Sequence, residues 1–430
     1  MPIQNDAPVA ALEAPAATPF ARLVGVIFSS NAGTFVALFT ATQLLLTLHT
    51  TRIAGEAAAA FGIITGFGAL FALIANPLAG RISDRTAARL GRRRTWILVG
   101  GLSGALVYFG LAFTTEIWQV AVIWCVAQVM YNFQFAATSA LLADQVPHTR
   151  RGTVSGFMGL SGALAPLVGI ALVSIVTDPA VQWGVIAVTS AALSTLAVLM
   201  LRDPKHVPAA GEGGLNLKEL LRSFWLNPWK HPAFGWAFLV RFLVTCAYAS
   251  GTYGAFFMMD RFGFTPEDVA GPVLLTSLLA VALLALGSVV GGFVSDKLQR
   301  QKPFVVAGGA IGAAGLTLQA FAPSIEYVYV AAALLGIGTG LFFAIDSALC
   351  VRMLPSAENA GKDFAIINIA NTVPQSFVPF IAPALLALGG YNALYLTLAA
   401  FGLAGAVAVA RLPELGREGD PRFAAITRGE

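Results

Sequence analysis

Uncharged runs of membrane-crossing length recur along the chain, separated by short polar breaks. In order they are 23–49, 57–79, 95–115, 117–143, 153–177, 179–201, 233–259, 269–293, 303–324, 327–351, 364–388 and 391–410. About 20 apolar residues carry a helix across a bilayer, so each run predicts one transmembrane helix. Ten of the twelve hold no Asp, Glu, Lys or Arg; the exceptions are Arg241 in the seventh and Asp346 in the tenth. The uncharged stretch 364–410 exceeds one crossing, and Gly389-Gly390-Tyr391-Asn392 supplies the turn chemistry that splits it. The pattern predicts an all-α integral membrane protein of twelve transmembrane helices.

Composition agrees. Of 430 residues 57% are hydrophobic and 11% charged, where a soluble protein carries about 25% charged residues. The net charge of +4 comes without an aromatic-interleaved basic patch, so no nucleic-acid partner is expected. Cys125, Cys246 and Cys350 all fall inside apolar runs with no CxxC, and read as packing residues. His148, His206 and His231 lie in polar breaks and His49 at a helix end, so neither a metal, a cofactor nor a catalytic set is expected. Residues 1–21 are rich in Ala and Pro and lack Lys and Arg, which predicts a disordered tail rather than a secretory signal.

The break between the second and third runs changes the picture most. Gly80 to Arg94 reads GRISDRTAARLGRRR, with six arginines in fifteen residues. Twelve crossings put both ends on one side, and 23 of the 26 Lys and Arg fall on the side of that loop. Arg52 and Arg261 fall opposite, and Arg241 within the membrane. The positive-inside rule then places both termini and the loop in the cytoplasm, in a multi-pass protein of the plasma (inner) membrane. The expected organisation is a tail 1–21, a six-helix bundle 22–201, a cytoplasmic linker 202–232, a second bundle 233–411 and a tail 412–430. The linker's Leu215 to Leu226 is amphipathic, with Trp225 and Trp229 suited to an interface; an ordinary solvated connector fits nearly as well.

The two bundles repeat. Phe135-Ala-Ala-Thr138-Ser139-Ala-Leu141 then Pro147 recurs as Phe343-Ala-Ile-Asp346-Ser347-Ala-Leu349 then Pro355, a shift of 208 that also carries Pro166 onto Pro374. Gly80-x-x-Ser-Asp84 recurs as Gly292-x-x-Ser-Asp296 at a shift of 212. Parallel six-helix repeats imply transport between two halves.

With GxxSDRxxxRxGRRR after the second helix and its echo after the eighth, the chain resembles the major facilitator superfamily over about residues 22–411. The spacing SDRT-x-x-R-x-GRRR-x-W, ending at Trp96, is more specifically similar to the glycoside–pentoside–hexuronide:cation symporter branch and its sugar-porter relatives. The resemblance implies an alternating-access transporter, with helices 1, 4, 7 and 10 lining a central cavity. It makes proton-coupled uptake of a sugar or glycoside the first expectation. Melibiose-permease relatives use carboxylates in the first half for sodium, and none stands in helices 1, 2 or 4 here, so protons are preferred. Gly162-x-x-Ala165-Pro166-x-x-Gly169 is a degraded form of an antiporter pattern, which keeps proton-coupled efflux of an amphiphilic solute as the alternative. The partners expected are a small-molecule solute, protons and the lipid bilayer, with a monomer as the working unit.

Polar side chains in hydrocarbon are costly and should face a wet cavity or each other. On the implied cavity helices they include Asn31, Gln43, Gln128, Tyr131, Asn132, Gln134, Tyr248 and Tyr253, the tyrosines serving either to stack on sugar rings or to pack. Arg241 and Asp346 lie at depths of roughly 12 Å and 8 Å from the cytoplasmic helix ends, near enough to pair if their helices are neighbours. They read either as a proton and substrate site or as a structural ion pair. Asn368, Asn371 and Gln375 are weaker candidates that serve the kink at Pro374. Glycines 156, 159, 162 and 169 offer close helix approach. In the loops, Gly80, Asp84, Arg85, Arg89, Arg92, Asp144, Gly292 and Asp296 form the candidate gate latch implied by the resemblance. The plain alternative is that the arginines only fix orientation and bind anionic lipid.

Overall fold

The computed structural model describes residues 18–55, 57–147, 150–203, 232–298, 300–352 and 360–412, with side chains from 347 to 368 and at 233, 296, 371, 372 and 376 left aside. The linker 204–231 with its expected interfacial helix, and the tails before 18 and after 412, lie outside the described residues. So do the side chains of Asp296, Asn368, Asn371 and Cys350.

Among the described residues every regular element is helical, and eleven stretches are long and apolar enough to cross a membrane. They are α1 (Phe20–Ile53), α2 (Ala57–Asp84), α3 (Arg92–Phe113), α4 (Ile117–Asp144), α5 (Arg151–Ser174), α6 (Pro179–Met200), α7 (Phe234–Phe262), α8 (Ala270–Ser295) and α9 (Lys302–Ala320), then α10 (Ile325–Arg352). The last, Ala360–Ala408, leaves helical geometry at Gly389 and Gly390, the latter at φ +64°, which divides it into α11 and α12. Only glycine takes that backbone without strain, so the expected turn falls where the sequence placed it. Polar residues at helix starts satisfy the free amides: Asp178 accepts from Val181 N at 2.9 Å ahead of Pro179, and Glu116 with Gln119 forms a capping box.

Each half is built alike. In the first, α1 packs on α5 and α6 while α4 packs on α2 and α3; in the second, α7 packs on α11 and α12 while α10 packs on α8 and α9. The repeat reaches individual contacts. A Cβ on Gly100 of α3 would lie 2.7 Å from Met130 O on α4, and one on Gly308 of α9 would lie 2.7 Å from Gly338 O on α10, both displaced by 208. Ser83 Oγ donates to Arg92 O at 3.4 Å, and Ser295 Oγ to Arg300 O at 3.2 Å. α1, with 67% of its apolar window buried, is central, whereas α8, with 11%, offers most of its surface to lipid.

The halves meet through α2 against α11 and α5 against α8. The described cross-half contacts of side chains lie at the end opposite the arginine loop. Phe61 of α2 meets Tyr253 and Phe256 of α7 edge-on, each at 5.3 Å. Gly62 faces Pro379 and Pro383 of α11 so closely that a Cβ would come within 2.5 Å of the Pro383 ring. Both central helices lose regularity there: α1 carries a π turn at Ala41–Leu45 and α7 a 3-10 turn at Ala249–Tyr253. Gln43 on the π turn lies 3.5 Å from Ser277 Oγ of α8.

The expectation of close helix approach needs correcting at Gly156 and Gly159, where a Cβ would meet nothing within 4 Å, and at Gly162, which makes only ordinary contact with Phe35, while Gly169 presses on Thr40 as expected. A Cβ on Gly80 or Gly292 would likewise meet nothing within 4 Å. The open glycines lie toward the loop end, away from the closed cross-half seam.

Candidate functional site

The loop after α2 is organised by Arg93, one of three consecutive arginines and 3% exposed. Its guanidinium donates to Asp84 Oδ1 at 2.5 Å, to Asp144 Oδ2 at 2.7 Å and to Ser83 Oγ at 3.0 Å. Arg92 adds a contact to the same Asp144 oxygen at 3.0 Å. The hub therefore ties the ends of α2, α3 and α4 with charge-assisted bonds. Asp203, just past α6, accepts from the Arg93 and Arg94 backbone amides at 2.6 and 2.8 Å and so caps α3. Gly91 makes room for that carboxylate: its φ is +98°, and a Cβ there would stand 2.5 Å from Asp203. Of the expected latch residues, Asp84, Arg92 and Asp144 are brought together, Arg85 is half-buried and Arg89 is exposed. Gly80 and Gly292 face open space.

Within the membrane, Arg241 of α7 and Asp346 of α10 are brought together as predicted, with Nε 3.1 Å from Oδ2. Both are buried, at 5% and 2% exposure. The Nε–H is not aimed at that oxygen, so this contact is Coulombic rather than a hydrogen bond. In a low-dielectric interior such attraction is strong.

The polar residues expected on the cavity wall divide. Gln134 is fully buried and donates to Ser30 O at 2.9 Å and Ser194 Oγ at 2.8 Å. Ser30 Oγ meets Thr138 Oγ1 at 2.5 Å. Ser190 Oγ donates to Gly33 O at 2.6 Å, so the Tyr131 hydroxyl donates to Ser190, at 3.0 Å. Tyr131 and Gln134 thus bind α4 to α1 and α6 inside the first half instead of lining a cavity in this state; satisfied polar groups in hydrocarbon act as glue. Tyr248 spends its hydroxyl on Gly308 O at 3.2 Å, and Tyr253 on Pro379 O at 3.3 Å at the cross-half seam. All three tyrosines pack.

Gln43, Gln128 and Asn132 remain partly exposed. Asn76, which sequence reasoning passed over, donates to Asn132 Oδ1 at 3.2 Å. Phe35 of α1 lies 5.2 Å from Phe39 and 5.7 Å from Phe135 of α4, all three rings partly exposed. Asn31 is 1% exposed, yet neither its Oδ1 nor its Nδ2 has a hydrogen-bond partner. A buried amide left without partners is rare.

Against known proteins, the model of the Major Facilitator Superfamily matches residues 23–318 and 274–428. An uncharacterized symporter of Synechocystis sp. is 28% identical over 189 residues, 39% of this chain and 35% of that protein. Multidrug resistance protein 2 of Bacillus subtilis is 25% identical over 238 residues, 52% and 56% of the two chains. Multidrug resistance protein MdtG of Serratia proteamaculans is 29% identical over 143 residues, 33% of each chain. The chain thus spans between about a third and about half of the length of these curated relatives. Among solved structures, the nucleoside transporter NupG superposes with a TM-score of 0.69 at 14% identity, over 90% of this chain and 98% of that one. A POT family transporter in complex with 5-aminolevulinic acid gives 0.70 at 11% identity, over 95% and 98%. Likeness at such identity is likeness of fold, and it extends over both halves. The chain belongs to the Major Facilitator Superfamily, as a multi-pass membrane protein.

Proposed function

We propose that the protein is a proton-coupled secondary transporter of a small organic solute, held in the plasma membrane with both ends cytoplasmic. The observation that carries this reading is the Arg241–Asp346 ion pair, buried between two helices that the fold places at the centre of its second half. An ionisable pair in hydrocarbon is expensive and marks a proton or ion path. The seam at Phe61, Tyr253 and Phe256 joins the halves at the end opposite the arginine loop. Alternating access needs this seam to part and the loop end to close, with Arg93, Asp84 and Asp144 as its latch.

The cargo that fits best is a small amphiphile, exchanged for protons outward. Tyr131, Gln134, Tyr248 and Tyr253 are spent on packing, which leaves few polar groups beside Phe35, Phe39 and Phe135. A polyhydroxylated sugar needs a partner for nearly every hydroxyl it buries. Two of the relatives above carry multidrug resistance in their names, which supports the same cargo. Uptake of a sugar or glycoside is the second reading, favoured by the SDRT-x-x-R-x-GRRR-x-W loop. Purified protein in proteoliposomes, offered labelled amphiphiles and sugars under pH gradients of either sign, decides between them. Amphiphile moved against the proton flow supports the first reading, sugar moved with it the second, and movement of neither overturns both.

A further inference from the structure

Residues 62, 66, 69, 73, 76 and 80 recur at steps of four and three, so they share one face of α2. The outer members of that stripe point to the second half. A Cβ on Gly62 would run into Pro383 and Pro379 of α11, and one on Gly66 would stand 3.2 Å from the Phe380 ring. The inner members are less covered: Leu73 is 44% exposed, Asn76 is half-buried, and a Cβ on Gly80 would meet nothing within 4 Å among the described residues. Asn76 therefore stands on the face that α2 turns to the other half. Beside that face, Gly68 leaves room for Trp124 and Gln128 of α4, and Asn132 follows Gln128 by one turn. Asn132 lies near the middle of Ile117–Asp144, the depth at which two-halved transporters hold their cargo.

Hydrogen bonds fix which amide atoms are left over. A backbone carbonyl only accepts, so the Asn132 group that meets Gln128 O at 2.8 Å is its NH2. Its Oδ1 then takes an N–H from Asn76 at 3.2 Å. Each asparagine keeps one N–H and Asn76 keeps its carbonyl, while the Gln128 carboxamide makes no hydrogen bond among the described residues. Pro77, the next residue, has no N–H to give to Leu73 O, one turn back on the same stripe. Charge is balanced around this cluster. No membrane run of the first half holds Asp, Glu, Lys or Arg, and the opposite charges of Arg241 and Asp346 stand 3.1 Å apart. A charged solute head would give up its hydration here with no counter-charge to replace it.

We infer that Asn76, Gln128 and Asn132 are the polar anchor of the cargo path, and that this anchor takes the uncharged amide head of an amphiphile. This rests on the amphiphile reading above. The solute carbonyl accepts from the remaining asparagine N–H groups, and its N–H donates to Asn76 Oδ1. Phe135, three residues after Asn132 and partly exposed, offers its ring to the apolar part.

Equilibrium binding to the purified full chain in nanodiscs tests this without any gradient. The probes are three labelled series of matched length, each corrected against empty discs: N-phenylalkanamides, alkylbenzenes that lack the amide, and phenylalkyl-trimethylammonium ions. Wild type binds the amides about tenfold more tightly than either other series, the worth of one or two net hydrogen bonds. Asn76→Leu and Asn132→Leu lose that advantage while holding alkylbenzenes as wild type does, because only a site built to pair the amide discriminates by it. Should these variants insert poorly, Gln128→Leu, which breaks no described bond, carries the same comparison. The inference is overturned if wild type binds the ammonium ions as tightly as the amides. It is also overturned if the inserted leucine variants bind amides unchanged, or weaken all three series alike, which would make the amides a helix brace. A wild type that binds amides without exchanging them for protons refutes the coupled reading and leaves the anchor standing. One that binds none of the three series overturns the amphiphile reading and the anchor together.

Discussion

Arg93 shows what residue identity decides and what it hides. Six arginines in one loop looked interchangeable as topology signals, yet the structure buries one and leaves Arg89 exposed. The difference is a matter of place, since position 93 falls in the first turn of α3, facing the ends of α2 and α4. Asp203 was equally silent in the sequence, because its partners are backbone amides 110 residues away. Arg93→Ala should cost about 2 kcal/mol, as Asp84 and Asp144 lose charge-assisted bonds but keep partial access to water. Its unfolding temperature in detergent and its flux both fall, whereas Arg89→Ala changes neither. Asn31 predicts the opposite sign. Removing an amide that is buried without partners relieves a cost of about 1–3 kcal/mol. Asn31→Leu should therefore raise the unfolding temperature while slowing flux, because the amide is completed by solute or water in another state. Unchanged flux would remove Asn31 from the solute path.

At the scale of elements, the spans were legible because hydrocarbon leaves a backbone no partner but its own helix. The runs 57–79 and 179–201 lie within α2 and α6, save the last residue of the second, and the Gly389-Gly390 break stands where turn chemistry put it. Faces were harder to read. α4 carries polar residues on two sides, and a side-chain count cannot tell the side that meets Ser30, Ser190 and Ser194 from the side that holds Asn132. The same holds for glycine. Gly62 and Gly80 stand on one helix, but only Gly62 has another helix pressed against it. Gly62→Val would drive methyl groups into Pro383 and Tyr253 and so hold the seam open. Cysteines placed beside the seam should then label from the outer face at all pH values, with net transport abolished and insertion normal. Labelling no faster than in the unsubstituted protein would mean that the seam does not gate access.

For the whole molecule, the repeat was the most legible feature, since a displacement of 208 found in the sequence motifs reappears as matching interhelix contacts. The asymmetry between the halves was legible only as two charges, Arg241 and Asp346, and gained meaning once Ser30 and Thr138 occupied the corresponding crossing. Cargo was the least legible property, because four of the eight polar residues that sequence assigned to the cavity, Tyr131, Gln134, Tyr248 and Tyr253, hold helices together. The central claim is that solute and proton movement are linked through Asp346. Proton movement in lightly buffered, unenergised proteoliposomes tests it directly. Adding a transported solute should shift the external pH, with a protonophore abolishing the signal and Asp346→Asn/Arg241→Gln moving solute without it. Solute crossing the wild-type protein with no pH change would contradict the account.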